Sequence, residues 1–202
     1  QRLQGQFPAA AVLGICCDYS QLAQLPDHPL LSGSNHLGFF PGSSLGNFTP
    51  AESRALLTQF RRLLGPGGKL LIGIDQPKTV ARLEAAYYDA AGASAAFALN
   101  LLTRLNRDLE GTFQPETFDY RARWIPATNQ IEMALVSRHD QQVEVAGLPW
   151  TFAAGEALIT ETSAKYSPEA FLKLAADAGW RGQARWSDPN DDLSLHLLVQ
   201  AD

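Results

Sequence analysis

FFPGSSLGNF, residues 39–48, starts as the end of an apolar strand, breaks at once into Pro41, two glycines and two serines, and finishes on Asn47 and Phe48. In an open α/β sheet, ligands bind beyond the carboxyl ends of the strands, and glycine there lets main chain come close to them. The flanking sequence fits that reading. Residues 36–40 (HLGFF) read as a strand, and Pro50–Leu64 (PAESRALLTQFRRLL) as a helix stopped by GPGG. Lys69–Asp75 (KLLIGID) is then a further strand ending in an acid. Strand, helix, glycine-rich turn and strand make a βαβ unit and predict a doubly wound parallel sheet.

Upstream, residues 9–17 (AAAVLGICC) form a continuous apolar run followed by DYSQ, which predicts another strand, buried on both faces. Downstream the pattern changes. Residues 79–106 are Ala-rich with helical spacing, and residues 118–161 hold FDYRARWI, QIEMALVSR, QQVEVAG and EALITETS, strand-like segments separated by turn residues. They predict an antiparallel second subdomain. A helix over 167–178, opened by S-P-E and closed at Gly179, precedes two strands, RGQARWSD and LSLHLLVQ, which complete the first sheet. The expected organisation is residues 1–76 and 165–202 as the sheet domain, with 77–164 inserted as an α+β subdomain.

The 202-residue chain is 46% apolar, enough for a substantial core. Its net charge is −5, with 16 Lys and Arg spread along the chain rather than gathered in a stripe, so nucleic acid is not an expected partner. No apolar run is long enough to span a bilayer, and QRLQGQFP lacks the features of a signal peptide. Cys16 and Cys17 are adjacent, where a mutual disulfide would be strained. They are expected to be buried, reduced thiols of a cytoplasmic protein. His28, His36, His139 and His196 show no metal-ligand spacing and are expected at the surface or as satisfied core residues.

Asp18-Tyr19 and Asp75 stand at the same end of the expected sheet as Gly42 and Gly46. An acid that accepts a hydrogen bond and an aromatic that covers a flat ring suit a nucleoside-like ligand. GSSLGN lacks the G-K-[ST] ending of a phosphate loop, which argues against a nucleoside triphosphate. Further on, Glu161 and Ser163 lie two apart in a strand and share a face. A carboxylate accepts an imidazole N–H and a hydroxyl serves the other ring nitrogen, so the pair can read both edges of one small ring. On residue type alone, a solvated strand face is the preferred reading of Glu161, and Tyr87 and Tyr88 are more often helix core or rim residues than ligand contacts.

FFPGSSLGNF, LLGPGGKLLIGID, LEAAYYDAAGASAAFALNLLTRLNRDL and ITETSAKYS, in this order, resemble the histidine-specific N-alpha-methyltransferases of ergothioneine biosynthesis. The resemblance implies a Rossmann-like class I methyltransferase sheet with an inserted α+β substrate-binding subdomain. It also implies S-adenosylmethionine as cofactor and the α-amine of histidine as methyl acceptor. Asp18 and Tyr19 match a pair that holds the adenine, with Tyr in place of Phe, and Gly42 matches the loop at the amino acid end of the cofactor. Asn47 matches a contact to the substrate amine and Tyr87 one to its carboxylate, which makes these two the expected catalytic residues. Glu161 and Ser163 match the pair that holds the imidazole, and Met133 a residue beside that ring.

The family pattern also has an N-terminal portion that QRLQGQFPAA does not match, so the chain is expected to be the C-terminal two thirds of such an enzyme, with an incomplete sheet. An open sheet edge at residues 36–40 would follow, and with it a homo-oligomer. Two other readings are compatible with the residues: methylation of a different amino acid or small amine, and a non-catalytic module that binds substrate or oligomerises.

Overall fold

The computed structural model describes residues 2–33 and 35–201, and the chain falls into two compact units. One comprises residues up to Ser44, Pro50–Ile74 and the chain from Pro168 onward. The other comprises Leu45–Thr49 and Asp75–Ser167.

In the first unit a short helix α1 (Arg2–Gln6) precedes β1 (Leu37–Phe40), α2 (Pro50–Leu64) and β2 (Lys69–Asp75). β1 and β2 pair in parallel, Leu37 opposite Lys69 and Phe40 opposite Ile72, as the βαβ reading expects. α2 buries Leu56 and Leu57, and its Phe60 ring meets Phe40 edge-on at 5.1 Å. Leu70, Ile72 and Ile74 of β2 are fully buried.

The end of the chain returns to this sheet, as the sequence predicts. The four-stranded order is β1-β2-β9-β8, in which β8 (Trp180–Ser187) and β9 (Leu193–Gln200) pair antiparallel. Trp180 is buried and its indole N–H donates to Leu57 O at 2.8 Å, fastening β8 to α2. His196 is a satisfied core residue: Nε2 lies 2.9 Å from Ser194 Oγ and the ring packs on Phe171 at 4.7 Å. Burial, aided by Arg185, pushes its pKa down to about 4.

One sequence expectation fails here. Residues 11–16 form no strand, Val12 and Ile15 are 44% and 42% exposed, and Cys16 and Cys17 are exposed rather than buried. A strand exists only when a neighbour takes its backbone N–H and C=O groups, and among the described residues none lies beside this run. Apolar content alone therefore does not make it one.

In the second unit, β3 (Phe118–Ile125), β4 (Gln130–Ser137) and β7 (Ala157–Ala164) form an antiparallel sheet in the order β3-β4-β7. β5 (Gln141–Val145) and β6 (Leu148–Phe152) make a separate ribbon. β6 is not legible in the sequence, because Pro149 and the turn at Gly147 mask a five-residue strand.

The single helix expected over 79–106 is two helices, α3 (Val80–Tyr87) and α4 (Ala93–Leu109). The break has an evident cause. Asp89 accepts hydrogen bonds from Ala93 N at 2.7 Å and Ser94 N at 2.8 Å, capping a new helix start, and Gly92 supplies the left-handed backbone before it. These amides hold the Asp89 carboxyl down at about 2.

Candidate functional site

The β3-β4-β7 sheet organises the site because directly opposite residues in antiparallel strands project to one face. Its pairing makes two rows across three strands: Ala122, Met133 and Glu161, then Trp124, Ile131 and Ser163. Glu161 and Ser163 therefore share a face with Met133, onto which Leu83 and Tyr87 of α3 pack. A bulge follows. Met133 opposes Glu161 and Ala134 opposes Ile159, so Thr160 is the extra residue, and its hydroxyl donates to Met133 O at 3.2 Å. The bulge turns two consecutive side chains, Thr160 and Glu161, to the same cavity.

α3 is held in place through the outer edge of β3. Ala122 N donates to Tyr88 Oη at 2.9 Å and Trp124 N to Glu84 Oε1 at 3.2 Å, so side chains of α3 and of its C-cap satisfy amides that the edge strand leaves unpaired. Tyr87, the neighbour of Tyr88, thereby faces the sheet.

The glycine-rich loop reaches the same strand. A Cβ on Gly46 would stand 2.6 Å from Ala164 O, so only glycine lets the loop lie against β7. Asn47 then donates from Nδ2 to Glu161 Oε1 at 2.7 Å. A carboxylate only accepts, so the amide nitrogen must face Glu161 and the amide oxygen points elsewhere as an acceptor. The second carboxylate oxygen of Glu161 is left as a further acceptor.

Sequence reading missed one residue that ties the others together. Lys165 has a side chain only 1% exposed and donates to Tyr87 Oη and Ser163 Oγ, both at 2.8 Å, and to Asp75 Oδ2 at 2.6 Å. Asp75 is also paired with Lys78. The strand-end acid expected at a nucleoside is thus engaged by two ammonium groups within its own unit. The sequence carries only the spacing, since Lys165 follows Ser163 by two; that the lysine is buried and therefore paired is seen in the structure.

A cavity of about 550 Å³ opens on this face. Tyr87, Tyr120, Met133, Thr160 and Glu161 line one side, and Phe97, Leu101 and Arg104 of α4 the other. Tyr120 Oη is buried without a hydrogen-bond partner. Burial, followed by Tyr88, Tyr87, Glu161 and Asp89, pushes that phenol up to about 12, so it stays a donor. Of the expected substrate residues, the cavity gathers Tyr87, Met133 and Glu161. Asn47 joins through Glu161, and Ser163 joins through Lys165.

The residues expected at a cofactor lie in the first unit. Asp18 accepts from Ser20 N at 2.9 Å and Ser20 Oγ at 2.6 Å through one carboxylate oxygen, which lowers its pKa, chiefly through the hydroxyl. Tyr19 is 46% exposed and meets Phe40 edge-on at 5.9 Å. Gln59 of α2 fixes this turn by donating to Tyr19 O at 2.7 Å and Leu22 O at 2.9 Å. Gly42, two residues after β1, has φ of 79° and open space where a Cβ would stand.

Residues 1–200 match the family model described as histidine-specific methyltransferase, SAM-dependent. The chain is 38% identical over 198 residues to histidine N-alpha-methyltransferase of Mycolicibacterium smegmatis, covering 96% of this chain and 60% of that protein. It is 36% identical over 201 residues to the enzyme of the same name from Mycobacterium tuberculosis, covering 98% of this chain and 61% of that one. It therefore spans about three fifths of the length of these relatives. Among solved structures, the CcbJ methyltransferase from Streptomyces caelestis shares the fold, with a TM-score of 0.51 at 14% identity over all of this chain and 70% of that one. The match along nearly its whole length shows that this chain belongs to the histidine-specific, S-adenosylmethionine-dependent methyltransferases.

Proposed function

We propose that this protein transfers methyl groups from S-adenosylmethionine to the α-amine of histidine, giving the trimethylated betaine that precedes ergothioneine. The observation that carries the reading is the shared face of Glu161 and Ser163, with Asn47 bonded to Glu161 and with Tyr87 and Ser163 joined by one buried ammonium. Glu161 and Ser163 take the two ring nitrogens, Met133 lies beside the ring, and Tyr87 donates to the carboxylate. The Asn47 amide oxygen, turned away from Glu161, accepts an amine N–H and so aims the nitrogen lone pair. Holding the amine in line is most of what the protein contributes to such a transfer.

The residues of the first unit fit the adenine end of the cofactor. Asp18 has one carboxylate oxygen engaged by Ser20 and another able to accept an exocyclic N–H, and the exposed Tyr19 ring offers a flat face. Gly42 leaves room for the cofactor's amino acid end. When bound, the cofactor supplies a methyl group activated on a sulfonium.

Association into a homo-oligomer belongs to the same proposal. β1 is the end strand of its sheet, and Leu37 and Phe39 are 60% and 65% exposed. We place the activity in the cytoplasm, where exposed thiols such as Cys16 and Cys17 stay reduced. Among the described residues no helix is long and apolar enough to cross a membrane.

Calorimetric titration with histidine and with S-adenosylhomocysteine tests the function. Binding of both is expected. Cofactor product without histidine would favour another acceptor, and histidine without cofactor product a binding module.

A further inference from the structure

We propose that Lys165 sets the hydrogen-bond polarity of the substrate site, leaving Ser163 and Tyr87 as donors, so that the site selects histidine with a neutral imidazole ring. The inference rests on the reading of histidine as substrate and adds which protonation state of it is recognised.

An ammonium group has three N–H donors and no acceptor. Lys165 Nζ meets three acceptors, Asp75 Oδ2 at 2.6 Å and the Ser163 and Tyr87 oxygens at 2.8 Å, so its donors are used in full. A hydroxyl that accepts from an ammonium turns its own hydrogen away from that charge. Tyr87 is then left with an O–H to give, which suits a ligand carboxylate because a carboxylate can only accept. Ser163 is likewise left with an O–H to give, which requires a ring nitrogen bearing a lone pair.

Glu161 makes the opposite demand. Its carboxylate, already accepting from Asn47, can only take a further N–H. One acceptor and one donor on a single strand face match a neutral imidazole, which carries one N–H and one bare nitrogen. An imidazolium carries two N–H groups, cannot accept from Ser163, and would bring a second cation to the hydroxyl that Lys165 holds. The ammonium thus converts a hydroxyl of either polarity into one that discriminates.

The charged groups around this network are Asp75, Lys78 and Lys165 on one side of Ser163, and Glu161 with Arg104 at the cavity. Tyr120 on β3 is acted on by Glu161, by Tyr87 and Tyr88, and by Asp89 from the turn between the helices, and Tyr87 lines the same cavity as Glu161. None of these is a histidine or cysteine. The groups in play between about pH 5.5 and 8 are therefore the ligand's own: its ring, whose ordinary pKa is about 6.5, and its α-amine, whose contribution is common to every variant.

The test uses ring-15N histidine bound to the protein in the presence of S-adenosylhomocysteine, observed by NMR, with Kd measured across the same pH range. The expected result is a neutral ring in one tautomer even at about pH 5.5, and a Kd whose weakening below about 6.5 is steeper than that above it by about tenfold per pH unit. Lys165→Met is expected to weaken binding at about pH 8 and to lose that slope, whereas a merely structural role would weaken binding equally at every pH. Ser163→Ala is expected to lose the slope while the fold stays intact, so the proposal stands or falls without the lysine variant. An imidazolium bound to the unsubstituted protein at about pH 5.5, a pH-independent Kd, or a Lys165→Met variant with the original slope would overturn the inference alone. Absence of histidine binding at any pH would overturn the histidine reading, and this inference with it.

Discussion

Asn47 and Glu161, 114 residues apart in the chain, are joined by a 2.7 Å hydrogen bond from the amide nitrogen to the carboxylate. The bond fixes which way each side chain presents its remaining groups: the amide offers its oxygen, and the carboxylate its second oxygen. On the proposed reading, Glu161→Ala removes the acceptor for the ligand ring, and it releases Asn47. Loss of a charge-assisted hydrogen bond costs about 1.5 to 3 kcal/mol, so KM for histidine is expected to rise roughly ten- to a hundredfold. Thermal unfolding of the variant should stay close to that of the parent, and a normal KM would remove Glu161 from the ring site.

Gly46→Ala tests how the loop is seated. Its Cβ would press on Ala164 O at 2.6 Å, a backbone atom that cannot swing aside. Overpacking of this kind costs about 1 to 3 kcal/mol. The variant is expected to lose stability by that amount in denaturant titration and to lose activity beyond it, because displacing the loop takes Asn47 from Glu161.

Tyr88→Phe separates scaffold from chemistry. It keeps the ring that meets Tyr120 at 5.7 Å and deletes the oxygen that accepts from Ala122 N. A stability loss of about 1 kcal/mol is expected, with faster hydrogen exchange at the Ala122 amide as the local readout. Unchanged exchange there would show that β3 does not depend on α3 for its edge.

His196 makes stability depend on pH. Its pKa is about 4 in the folded state against an ordinary value of 6.5, so below about pH 6.5 the unfolded chain binds the proton more readily. The full stability is present above about pH 6.5 and is lost as pH falls toward about 4, by about 3 kcal/mol from this one ring. Denaturant titrations at about pH 7.5 and about pH 4.5 should show a smaller drop for His196→Gln than for the parent, and equal drops would contradict the assignment.

Association through β1 predicts a concentration-dependent mass in sedimentation, abolished by Phe39→Lys, since a charge on an exposed edge strand opposes pairing. A monomer at every concentration would rule it out.

What was legible in the sequence follows from where the determining physics is local. α2 over Pro50–Leu64 and β2 over Lys69–Asp75 have periodicity and stop signals of their own, and β3, β4 and β7 alternate around clear turns. The run at 9–17 has composition without a partner strand, and pairing is a property of the whole sheet. The helix break at Asp89 depends on a cap whose amides lie four and five residues ahead, within a stretch of good helix formers. At the site, the shared face of Glu161 and Ser163 could be read from a spacing of two. The bulge at Thr160 and the burial of Lys165 among Asp75, Tyr87 and Ser163 could not, because they bring together residues distant in the chain.

The proposed function comes down to one nitrogen of one amino acid. The decisive experiment incubates the protein with S-adenosylmethionine and an equimolar mixture of the common amino acids and identifies the products by tandem mass spectrometry. Histidine should emerge carrying one, two and finally three methyl groups, all on the α-nitrogen, with the other amino acids unchanged. Methyl groups on the imidazole ring, or another amino acid methylated in preference to histidine, would contradict it.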